Sequence, residues 1–92
     1  MVRAMVMYEQ APDPERYEQH VREHAVPLGI PFRHGPVKNT VVGEQKFAYY
    51  GEFEFTDMAH FGSIASGPAF AASGKDAMAM GIPFTVNFAS IE

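Results

Sequence analysis

The chain holds four histidines and four tyrosines and no cysteine. Its plausible chemistry is therefore proton transfer and hydrogen bonding; thiolate nucleophiles, thiolate metal sites and disulfides are excluded. His20 and His24 stand four residues apart in His20-Val21-Arg22-Glu23-His24, one helical turn, so the two rings share a face. Formally this is the H-x-x-E-H pattern of inverted zinc peptidases. Those enzymes need a further acidic ligand on another helix and a much larger scaffold. A helix whose histidines border the core is the plainer reading, and no metal is expected. Imidazole titrates near neutrality and serves as general acid or base without a cofactor, so His24, His20 and Tyr49 are the candidate catalytic residues. A pocket between helix and sheet lined by Tyr8, Tyr17, Tyr49, Phe53 and Phe88 suits a flat apolar ligand, with a tyrosine donating to a carbonyl or enolate oxygen. Phe61 joins Tyr8, Tyr17, Phe53 and Phe88 as a candidate binding residue. His34, beside Gly35-Pro36, reads as a surface or turn residue. His60 falls in the first turn of a helix, where a cation is unfavourable.

The elements that must position these side chains follow from the apolar pattern. Val2–Tyr8 is an apolar run ended by Gln10-Ala11-Pro12, a strand covered on both faces. Asp13-Pro14-Glu15 starts a helix: a capping carboxylate, a proline suited to the first turn and an acid at the positive end of the dipole. The helix runs to about Ala25, with Tyr17, Val21, His24 and Leu28 as its inner stripe. Pro27 and Gly29 stop it. Arg33–Val42 is a strand whose Gly35-Pro36 implies an edge position or a bulge. In Phe47–Phe55, aromatics alternate with Ala48, Tyr50, Glu52 and Glu54, giving an aromatic and a mixed face. Thr56-Asp57 caps a second helix with Met58, Phe61, Ile64 and Ala65 inward. Ser66-Gly67-Pro68 breaks it, and an alanine-rich helix resumes until about Met80. Phe84–Ile91 is the closing strand, with Phe84, Val86 and Phe88 on one face.

The order β-α-β-β-α-β predicts a ferredoxin-like α+β domain, residues 1–92, with one antiparallel four-stranded sheet and both helical segments on one side. The other sheet face then lacks cover of its own. Met5 and Met7 alternate with Val6 and Tyr8, so apolar residues fall on both faces, and a bare apolar face on a small protein marks an interface. A homodimer with sheets packed face to face, a dimeric α+β barrel, is the expectation. A domain of 92 residues buries only about 60–65% of its unfolded surface, so a twin would help its stability.

Composition narrows the partners. Seven Lys and Arg against eleven Asp and Glu leave a net charge of −4, and the basic residues are dispersed. No nucleic-acid partner is expected, since counterion displacement needs a concentrated positive face. An acidic chain also disfavours anionic membranes, the N-terminal apolar run is too short for a signal or a span, and cytoplasmic location is the default.

The chain resembles the EthD family of dimeric α+β barrels along nearly its whole length. The residues that carry the likeness are the opening strand ending in a tyrosine before a proline-containing turn (Tyr8 to Pro14), the helix with Tyr17 running into Pro27-Leu28, and the Ser66-Gly67-Pro68 break before an alanine-rich stretch. The family's His-x-Pro-Leu is altered: Ala25 stands at the histidine's place, and His24 is one residue early, about 100° away around a helix. The resemblance implies a small cofactor-free enzyme acting on a hydrophobic or aromatic small molecule, as a cyclase, isomerase, lyase or monooxygenase. The alternative it implies is a non-catalytic binding or accessory protein of a degradation or biosynthetic pathway. Some relatives by fold act on haem, with His24 or His60 as conceivable axial ligands; no cofactor is expected.

Overall fold

Asp13 accepts a hydrogen bond from the Arg16 backbone N–H at 3.0 Å and opens the first helix as its sequence implies. The computed structural model describes residues 1–92. The elements in chain order are β1 (Val2–Tyr8), α1 (Pro14–His20), a π turn (Val21–Ala25), a 3-10 turn (Val26–Leu28), β2 (Phe32–Pro36), β3 (Tyr49–Phe55), α2 (Met58–Ala65), α3 (Pro68–Ala79) and β4 (Phe84–Ser90). The four strands form one antiparallel sheet in the order β2-β3-β1-β4. This is the expected ferredoxin-like α+β arrangement.

The register sorts the side chains by face. Val2 pairs with Phe55 and Ser90, Ala4 with Phe53 and Phe88, and Tyr8 with Tyr49 and Phe84, so one alternating set of every strand faces the helices. Val2, Ala4, Ala25, Phe53 and Phe55 form the buried core. Phe61 meets Phe55 and Phe88 edge-on, at ring separations of 5.1 and 4.5 Å.

Five expectations are corrected. The first helix does not stay α-helical to Ala25: the Val26 N–H reaches the Val21 carbonyl, an i→i+5 bond. His20, the last residue of α1 and three after Tyr17, is inward at 3% exposure; the wider turn that follows encloses Ala25 at 0% and leaves His24 half-buried. Strand β2 ends at Pro36, not Val42, with one further bond from the Val37 N–H to the Ala48 carbonyl at 2.9 Å. It is an edge strand, as Gly35-Pro36 implied, and the Pro36 nitrogen falls on its unpaired side. Strand β3 begins at Tyr49, two residues after Phe47, and Met58 of α2 is exposed. Finally, the face away from the helices is not simply apolar. Met5 and Met7 share it with Arg3, Arg33, Glu52 and Glu54, whose ion pairs range from 3.2 to 3.6 Å.

Candidate functional site

Tyr17, one turn into α1, brings its hydroxyl close against the sheet where β3 has a glycine, Gly51. A Cβ on Gly51 would stand 2.9 Å from the Tyr17 hydroxyl and 3.2 Å from the Phe32 ring. The missing side chain thus sets the depth of the phenol. Tyr8, Tyr49 and His34 surround Tyr17 at ring separations of 5.8, 5.2 and 5.1 Å. Burial pushes the Tyr17 pKa far up, and the neighbouring Tyr8 adds to it. Burial also raises Tyr8 and Tyr49. All three phenols keep their protons near neutrality and act as hydrogen-bond donors, not as phenolates.

One turn further on, His20 closes the wall. Its Nδ1 is 2.8 Å from Asp76 Oδ2. Asp76 belongs to α3, and Arg16 grips the same carboxylate with two bonds of 2.8 and 3.1 Å. The guanidinium first, and the imidazole after it, hold the Asp76 pKa down to about 2. An ionised carboxylate on Nδ1 fixes the neutral tautomer with its proton on that nitrogen, and this leaves Nε2 as a lone-pair base. Arg3 Nε is the one fully enclosed side-chain polar atom without a partner. His20 Nε2 has no hydrogen-bond partner and is not fully enclosed, and the His20 side chain lines a cavity.

That cavity, about 100 Å³, lies between the sheet and helices α1 and α3. Tyr8, Tyr17, Phe53 and Phe88 of the expected set line it together with His20. Phe61 does not line it; it packs behind Phe55, Phe70 and Phe88. Nor does His24, whose Nε2 is 3.9 Å from Asp76 Oδ1 on the far side of the carboxylate. Tyr49 belongs to a second groove of about 300 Å³ across the Tyr17 ring, shared with Pro12, Glu18 and His34. There the Tyr49 hydroxyl is 2.7 Å from His34 Nδ1. Burial lowers the His34 pKa, so its neutral ring accepts from the Tyr49 O–H. His34 is an exposed residue of β2, as its surface reading implied, and carries this one hydrogen bond. His60 accepts from the Thr56 N–H at 3.0 Å through Nδ1, a neutral role that suits its place at a helix start.

Asp76 and Ser73 are the functional candidates that the sequence reading missed. The available signal was Ser73 and Ala77 at i, i+4 spacing in an alanine-rich helix. These small inward residues bring α3 down onto α1 and set Asp76 at the shared edge.

Fold and site together define a ferredoxin-like α+β domain with an apolar cavity and one histidine–carboxylate pair at its wall. Neither a protein-family profile nor a curated protein matches the sequence. Among solved structures, the chain is similar to an EthD family protein from Bacillus halodurans C-125, at 24% identity, TM-score 0.73, covering 100% of this chain and 99% of that one. It is also similar to a dimeric ferredoxin-like protein of unknown function from Jannaschia sp. CCS1, at 22% identity, TM-score 0.69, covering 98% of each chain. A third is SnoaB, a cofactor-independent oxygenase from Streptomyces nogalater, at 16% identity, TM-score 0.66, covering 99% of this chain and 92% of that one. The fold expected from the EthD resemblance is thereby shown. No helix is long and apolar enough to cross a membrane.

Proposed function

We propose that the chain is a homodimeric enzyme that moves a proton on a small hydrophobic or aromatic carbonyl compound, with His20 as the base. The observation that carries this reading is the 2.8 Å Asp76–His20 contact behind an otherwise apolar cavity. His20 Nε2 takes a proton from the carbon next to the carbonyl. The electron pair moves onto the oxygen as an enolate, which accepts a hydrogen bond from Tyr8 or Tyr17, and the proton then returns from Nε2 to carbon. Asp76 stabilises the imidazolium formed in between. A fold shared with a cofactor-independent oxygenase and a protein described as dimeric supports small-molecule chemistry and pairing of two copies.

The test is deuterium exchange at the α-carbon of cyclohexanone and acetophenone in D2O, followed by proton NMR. Exchange above the buffer rate is expected, with His20→Ala lowering it about 10²–10⁴-fold. Exchange that is equal in both proteins would remove His20 from the reaction. A second reading, a binding or accessory protein, is favoured by one observation. Of the three residues expected to be catalytic, only His20 lines the cavity. Stoichiometric ligand uptake with no exchange or product would select it.

A further inference from the structure

Ser73 sits in the middle of α3 and is 6% exposed. A serine inside a helix ordinarily turns its hydroxyl back onto the preceding turn. Ser63 and Ser66 do this, donating to the His60 and Ser63 carbonyls at 2.8 and 3.3 Å. Ser73 makes no such bond. Its hydroxyl is not sealed off either, since the only enclosed, unpartnered side-chain atom is Arg3 Nε. Ser73 lines the same cavity as His20, so two residues more than nine-tenths buried, each with an uncommitted polar atom, line one apolar space.

The size and walls of that space limit what can meet both atoms. A dry cavity of about 150 Å³ takes one benzene. Here about 100 Å³ is accessible in a cavity open on one side, and the β4 side chains that line it, Val86 and Phe88, remain 46% and 52% exposed. One six-membered ring can enter edge-first and lean out along β4. No lysine or arginine lines the cavity, and an ion there would lose its water without a counter-charge.

We infer that the cavity binds an uncharged, single-ring molecule carrying one hydroxyl or carbonyl oxygen, and that Ser73 orients this oxygen opposite His20. The inference rests on the proposed site but concerns recognition, not turnover. Phenol and benzene are the probes, titrated into the intact protein and followed by calorimetry and amide NMR shifts. Phenol is expected to bind about five- to tenfold more tightly than benzene, the worth of one neutral hydrogen bond. Ser73→Ala, a change that favours the helix, should bring the two within twofold while leaving benzene binding unaltered. Equal affinities in the native protein, a preference that survives Ser73→Ala, or no saturable binding of either probe would overturn the assignment. A Ser73-dependent preference without α-proton exchange would keep this inference and sink the catalytic reading. Exchange without the preference would do the reverse.

Discussion

At the scale of single residues, Gly51 and Asp76 do more than their types announce. Gly51 is needed for the space it leaves, since it sits under the Tyr17 hydroxyl and the Phe32 ring. In Gly51→Ala the Cβ must push both outward, and overpacking of this kind costs about 1–3 kcal/mol. Urea unfolding should show that loss, together with weaker phenol binding as the cavity wall shifts. A variant of native stability would mean that Tyr17 yields freely. Asp76 makes a prediction about acid. Its carboxyl titrates near 3.8 in the unfolded chain and near 2 in the fold, so between those values the unfolded state binds more protons. The stabilisation is complete above about pH 4 and drains away as the pH falls toward 2. Because Asp76 and Arg16 are both partly exposed, solvent screening holds it to about 1 kcal/mol. Asp76→Asn should flatten the acid limb of the stability curve relative to the native protein. The same variant should lower α-proton exchange with little change in KM, since Asp76 reaches the substrate only through His20.

At the scale of elements, the first helix shows what a sequence pattern can and cannot deliver. Asp13, Pro14 and the Tyr17 spacing located its start, and Asp57 located that of α2. Strand alternation put Phe53 and Phe88 on the cavity side, because a two-residue period has no phase to lose. The helical stripe held for Tyr17, Val21 and Leu28 and failed at His24. A regular 3.6-residue repeat puts Val21, His24 and Leu28 inward; Val21 and Leu28 do pack against the core, but the π turn widens the repeat and gives the enclosed place to Ala25 instead of His24. Nothing in Val21–Ala25 announces that turn by residue type; it answers to tertiary packing, with Ala25 fully enclosed in the core. The contact of His20 with Asp76 spans 56 positions and could not be read from local spacing either. The caps that were legible carry energy. Helix α2 has no fully buried residue, so it depends on Asp57, which accepts from the His60 N–H at 2.8 Å. Asp57→Ala should cost about 1 kcal/mol by chemical denaturation. A loss below about 0.3 kcal/mol would show that the packing of Phe61 and Ile64 holds the helix alone.

At the scale of the whole molecule, the protomer is a thin slab of 34 × 33 × 17 Å, one sheet and one helical layer deep. Its accessible surface is 5824 Å², against roughly 5300 Å² expected for a compact monomer of this mass. The excess belongs to a shape that lacks a third layer. On the uncovered sheet face, Glu52 is already 95% removed from solvent and pairs with both Arg3 and Arg33. The charges there are neutralised within the protomer, and Met5 and Met7 offer the apolar contact. A twin laid on this face would bury methionines beside charges that need no partner from the other copy, so its affinity should respond weakly to salt. Met7→Glu tests the geometry directly. The new carboxylate would be buried without a counter-ion in a face-to-face dimer, at a cost of at least 3 kcal/mol, which is more than a hundredfold in dissociation constant. In a lone protomer the same side chain is half-exposed and the substitution is mild. Sedimentation velocity over a concentration series should therefore show native dimers and folded Met7→Glu monomers. Dimers of equal affinity in both proteins would put the interface elsewhere, with the exposed β4 edge and its Val86 and Phe88 the next surface to alter.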